Sequence, residues 1–191
     1  DGLQSPSARN PTIEQKIELL TYMERLGMQK VDLGLPGAGP QHIDHIDAML
    51  SHISENDYQI RPGCAVRTVV SDIEPLVDLQ AKYDMKIQAS AFLGTSPIRQ
   101  FAENWTMERI LSTAEKAVTF AVDNDIPVMF VTEDTTRSKP EEIKAVYSRA
   151  IAFRYIFGSF FYMPVLFVFL IKNLRRIGVG NFLSVILKVL F

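Results

Sequence analysis

Cysteine is nearly missing from this sequence. The 191 residues contain one, Cys64, so no intramolecular disulfide can form, and the composition suits a reducing compartment. Neither sign of charge is in excess. A formal net charge of −2 and a sequence pI near 6.0 remove the usual electrostatic ground for a nucleic-acid partner. Histidine is sparse, with only His42, His45 and His52. Asp1 opens the sequence without a secretory pattern, an Arg-rich transit stretch or an initiating Met, so it reads as starting inside a longer chain.

One further absence divides the sequence. All 22 acidic residues lie before Tyr155, together with 16 of the 20 basic ones. The stretch 155–191 carries only Lys172, Arg175, Arg176 and Lys188, yet it holds seven of the 12 phenylalanines. Two composition regimes meet there, which predicts one domain over 1–152 and a separate hydrophobic, basic tail over 153–191.

In the front part, apolar residues recur at helical spacing from Ile13 to Leu26 behind Pro11-Thr12, with Gly27 as the stop. A short strand, 30–33, then runs into the Gly/Pro-rich loop "GLPGAGP", and "QHIDHIDAMLSHISEN" reads as a second helix. "CAVRTVV" reads as a buried strand, with Ser71 or Asp72 capping the helix "IEPLVDLQAKYD". "KIQASAFLG" is a strand followed by a loop, "TSPIRQFAENW". Thr106 caps a long helix, "IPVMFV" is a strand, and Pro140 opens a last helix to about Arg154. Such alternation, in units of about 30 residues, predicts an α/β fold with a parallel sheet. A doubly wound sheet and a TIM barrel both fit it.

In either architecture chemistry sits at the carboxyl ends of the strands. Those ends read "DGLQ", "GLPG", Ser71-Asp72, "GTSPIR" and "TED", polar where the strand interiors are apolar. Taken alone they are either a site or ordinary polar turns. Ser96 and Arg99 suit a carboxylate, which Arg grips bidentately, and they suit a helix-capping loop equally. "GLPGAG" has no following lysine and reads as a tight turn rather than a phosphate cradle. Cys64 reads as inert core, Asp134 and Arg137 as loop-ordering residues, and the three histidines as a solvated helix face.

Taken together, "DGLQSP", "GLPGAG", "FLGTSPIRQFAENW" and "VTEDTTRSKPEE" resemble successive strand ends of the 2-isopropylmalate synthase and homocitrate synthase family. This is a pyruvate-carboxyltransferase-like TIM-barrel group that also includes hydroxymethylglutaryl-CoA lyase. The resemblance runs from Asp1 to about Ala152 and implies part of a TIM barrel: the end of its first strand, then its second to fifth. It also implies a cytoplasmic acyltransferase of amino-acid biosynthesis, homodimeric when full length. Such an enzyme condenses acetyl-CoA with a 2-oxo acid at a divalent metal (Mg, Mn or Zn), which polarises the ketone. By motif, Asp1 matches a metal ligand, and Gln4 a residue facing the substrate. Thr132 and Glu133 match a pocket-lining group, with Glu133 aiding proton transfer. Within the family, "DGLQ" leans toward the lyase, and "GTSPIRQ" and "TEDTTRS" lean toward the synthases.

The family's late-strand His-x-His pair has no counterpart here, and "FRYIFGSFF" stands where a "CDT"-like segment is expected. Met129 and Val131 leave the last strand apolar, without the basic substrate-selecting residue of some homocitrate synthases. "YIFGSFFYMPVLFVFLI", residues 155–171, is uncharged and close to the lower length limit for crossing a bilayer. It reads either as a membrane segment, which would relocate the protein, or as an aberrant C-terminus replacing the rest of the barrel. By itself the chain is expected not to catalyse the condensation.

Overall fold

The computed structural model describes residues 11–152. The expectations for Asp1, Gln4 and the tail therefore lie outside the described residues. Helix α1 (Ile13–Arg25) starts on a capping box, in which Thr12 accepts from the Gln15 amide and the Gln15 side chain accepts from the Thr12 amide. Strand β1 (Lys30–Asp32) leads through a 3-10 turn, Pro36–Ala38, into α2 (Pro40–Glu55). Then come β2 (Arg61–Arg67), α3 (Val70–Tyr83), β3 (Gln88–Gly94), α4 (Pro97–Glu103) and α5 (Met107–Asp123). Strand β4 (Val128–Glu133) and α6 (Pro140–Ala152) complete the described part.

The four strands are parallel and lie in chain order, β1-β2-β3-β4. A doubly wound sheet reverses its order at a switch point; these strands do not reverse. Right-handed crossovers that always step the same way place every connecting helix on one face. In keeping with this, α1 packs on α2, α2 on α3, α3 on α5 and α5 on α6. The arrangement is consistent with part of a TIM barrel.

Alternation along the strands separates two faces. Cys64, Val66, Ala89, Ala91, Val128 and Phe130 are buried toward the helices. Opposite them, Ala65, Ser90, Phe92, Met129 and Val131 are only half-buried. That second face corresponds to a barrel interior. On the helical side, Ala114, Ala117 and Ala121 give α5 a flat, buried stripe, and Leu50 of α2, Leu76 of α3 and Val146 of α6 are fully buried in the same core.

Four local expectations are corrected. Strand β2 begins at Arg61 and ends at Arg67, three residues earlier at each end than "CAVRTVV". Pro62 is tolerated because the Arg61 amide bonds to Gln29 O on the β1 side. The position of the missing Pro62 N–H therefore faces β3, whose ladder starts one residue later, at Gly63–Gln88. The N-cap of α3 is Val69 rather than Ser71 or Asp72. The segment "TSPIRQFAENW" contains the helix α4. Finally, His45 and His52 are half-buried against α1 rather than solvated. His45 Nδ1 lies 3.0 Å from Lys16 Nζ, and His52 Nε2 lies 3.3 Å from both Thr21 Oγ1 and Tyr58 Oη.

Candidate active site

Because the strands are parallel, their carboxyl ends share one edge: Asp32, Arg67, Gly94 and Glu133. The register pairs Asp32 with Gly63, Arg67 with Phe92 and Gly94 with Glu133, and all lie on the half-open face. That edge is where a (β/α) barrel does its chemistry.

Asp32 was not singled out from the sequence. Its Oδ1 accepts from the Gly34 amide at 3.0 Å and the Ala65 amide at 3.3 Å, so the carboxylate is fixed at the end of β1. Desolvation raises its carboxyl above the ordinary value, while the Gly34 and Ala65 amides oppose the shift. The residue keeps substantial solvent contact, which limits that rise. The overlooked signal was an acidic residue just inside the apolar run "VDLGLP".

Arg67 ends β2 and is anchored by Asp72, which stands in the first turn of α3 and is 1% exposed. The carboxylate accepts from Arg67 Nε at 2.8 Å, Arg67 Nη2 at 2.7 Å and the Arg67 amide at 3.0 Å. Arg67 Nη2 also donates to Gly37 O at 3.2 Å, tying the β1 loop to β2 and α3. A Cβ at Gly37 would fall 2.3 Å from the Asp72 oxygens, so only glycine lets that loop approach.

At the end of β3, Ser96 is fully buried, and its Oγ accepts from the Arg99 amide at 3.2 Å as the N-cap of α4. The aliphatic stem of Arg99 folds over Gly94, where an added Cβ would meet Arg99 Cγ at 2.6 Å. Its guanidinium remains half-exposed, 3.6 Å from Glu103. The arginine thus lies beside the strand position paired with Glu133.

Strand β4 separates its two candidate residues. Thr132 is buried on the helix side, with Oγ1 at 2.7 Å from Thr135 Oγ1 and 3.3 Å from Tyr147 Oη. Glu133 projects the other way, is exposed, and has no hydrogen-bonded or ionic partner among the described residues. Asp134 adopts a left-handed conformation, φ 54°, and pairs with Arg137 at 3.1 Å, so both order the turn. Cys64 has no exposed surface, and burial pushes its thiol well above the ordinary range.

The structure therefore places Asp32, Arg67 and Glu133 at the carboxyl ends of their strands on one face of the sheet, with Arg99 over Gly94 beside Glu133. It places Ser96 and Thr132 beneath them as supports. Among the described residues, no group of three or more His, Cys, Asp or Glu side chains could hold a metal ion. These residues do not on their own form the cation site that the resemblance implies. No described helix is long and apolar enough to cross a membrane.

Comparison with known proteins matches residues 1–160 to the family described as HMGL-like. The chain is similar to 2-isopropylmalate synthase of Microcystis aeruginosa, 31% identical over 80% of this chain and 28% of the relative. It is 26% identical to the 2-isopropylmalate synthase of Sediminispirochaeta smaragdinae, over 79% of this chain and 29% of the relative. With homocitrate synthase AksA of Methanosarcina acetivorans it shares 25% identity, over 77% of this chain and 34% of the relative. The chain thus spans about a third or less of the length of these curated relatives.

Proposed function

The chain belongs to the HMGL-like family, and on that basis we propose that the whole protein is an acyltransferase joining acetyl-CoA to a 2-oxo acid. The observation that carries the reading is Glu133, a carboxylate at the carboxyl edge of β4 that has no partner among the described residues. It faces the half-open side of the sheet, in the register position next to Gly94 and the overlying Arg99. In this reading Glu133 moves a proton to or from the reacting carbon or oxygen, a role for which an exposed acid needs no rearrangement. The Arg99 guanidinium holds a substrate carboxylate or phosphate. Ser96 fixes the start of α4 so that Arg99 stays over Gly94, and Thr132 fixes the turn behind Glu133.

In the same reading Asp1 is a metal ligand and Gln4 faces the substrate. A bound divalent cation would polarise the ketone; its remaining donors are not found among the described residues. Relatives named as 2-isopropylmalate and homocitrate synthases support a step of amino-acid biosynthesis, and a homodimer belongs to the same reading.

The test is an assay of the whole gene product with acetyl-CoA and a panel of 2-oxo acids, following thiol release. Glu133→Gln is expected to lower kcat by about a hundredfold or more. Absence of CoA release with every acceptor would overturn the synthase reading, and cleavage of a 3-hydroxyacyl-CoA instead would assign lyase chemistry.

A further inference from the structure

Polar side chains around Glu133 are bonded to one another, and the bonds cross between the loops after β3 and β4. Thr95, with no exposed surface, places its Oγ1 2.7 Å from Ser138 Oγ, itself 9% exposed. Ser138 Oγ also lies 3.3 Å from Asp134 O, directly behind Glu133. Gln100 Nε2 donates to Thr95 O at 2.9 Å and to Glu142 Oε2 at 3.1 Å, so the loop after β3 and α4 are also tied to the first turn of α6. Thr135 Oγ1 donates back to Thr132 O at 2.7 Å. The side chain of Glu133 takes no part in any of these bonds.

A turn with a residue in the left-handed region, Asp134, is not held by backbone preference alone. Fixing its outer limb to a buried hydroxyl on the neighbouring loop removes the freedom that would let Glu133 swing. Two buried hydroxyls facing each other are also costly to separate, since neither would find water in their place. Neither group reaches the open face, so neither can touch a substrate.

We propose that Thr95 and Ser138 are positioning residues for Glu133, with Gln100 as a second tie, from the loop after β3 to the first turn of α6. This inference rests on the reading of Glu133 given above. It deepens that reading by naming what holds the carboxylate still. Loss of the hydroxyl pair displaces Glu133 without removing any substrate contact, so the effect falls on kcat and not on KM.

The experiment uses the whole gene product, with acetyl-CoA and whichever 2-oxo acid it accepts. Thr95→Val and Ser138→Ala are each expected to lower kcat by on the order of tenfold or more, with KM nearly unchanged. Thr95→Ser, which keeps the hydroxyl, should retain parental activity. In the Glu133→Gln background neither Thr95→Val nor Ser138→Ala should lower the residual rate further, because there is no carboxylate left to position. An equal loss in both backgrounds would show a general structural role and overturn the proposal, as would unchanged kcat in Thr95→Val and Ser138→Ala. Should Glu133→Gln itself keep full activity, the catalytic reading of Glu133 falls first, and its positioning falls with it.

Discussion

The pair Arg67–Asp72 permits a prediction that runs against simple addition. Asp72 is 1% exposed on its side chain, whereas Arg67 is 56% exposed, so the two partners lose different things when separated. Arg67→Ala leaves a buried carboxylate with the residue 67 amide as its remaining donor from that pair. Breaking a buried pair in this way costs about 3–5 kcal/mol. The start of α3 and that amide favour the anion, which puts the expected loss near the lower end, about 3 kcal/mol. Asp72→Asn removes the charge but keeps an oxygen for the amide, and forfeits charge-assisted bonds worth about 2 kcal/mol. Independent effects would sum to about 5 kcal/mol in the double variant. Instead, Asn at position 72 removes the orphan charge that makes Arg67→Ala costly. The double variant should be no less stable than Arg67→Ala, a coupling of about 2 kcal/mol or more. Urea unfolding of the four proteins, compared by midpoint at constant slope, measures this directly. A double variant that loses the full sum would refute the claim that burial of Asp72 makes this pair asymmetric.

Other expectations follow from the same rim. Gly37→Ala should destabilise the fold by about 1–3 kcal/mol, because the new methyl meets the fixed Asp72 carboxylate, and the loss should show in the same urea titration. Asp32→Asn keeps an oxygen for the Gly34 and Ala65 amides while removing a carboxyl whose folded-state value is raised. A raised acid binds its proton more tightly when folded, so its penalty is complete above the folded value and vanishes below the ordinary one. The variant should therefore melt at or above the parent temperature at pH 7, and the difference should fade near pH 3; a variant that melts lower at pH 7 would contradict this. Cys64 should resist a thiol reagent in the native protein and react fully in denaturant, as its buried, undissociated thiol requires. The 191-residue chain alone should show no turnover above background in the thiol-release assay, since the late-strand histidine pair of the resemblance has no counterpart in it.

Much of the fold was readable from local chemistry. Helices α1 and α5 announce themselves by apolar period and by Thr12 and Thr106 at their caps, since capping and one-sided burial act within a few residues. The motifs at the strand ends were also legible, since the residue types that carry the family resemblance stand in the sequence itself. Helix α4 was missed because none of its residues is buried and Ile98 and Phe101 point to solvent, so it carries no core-facing period. Its signal was Ser96-Pro97, a cap and a first-turn proline. The start of α3 was misplaced because Asp72 serves Arg67, a partner that local pattern cannot reveal. The two faces of β4 were likewise decided only by tertiary structure. Thr132 and Glu133 are neighbours in sequence, but a strand sends adjacent side chains to opposite sides, and only the position of the helix layer tells which side is covered. Asp32 became visible for the same reason: in the sequence it is one acid in an apolar run, and the sheet sets it at the carboxyl end of β1 on the same face as Glu133.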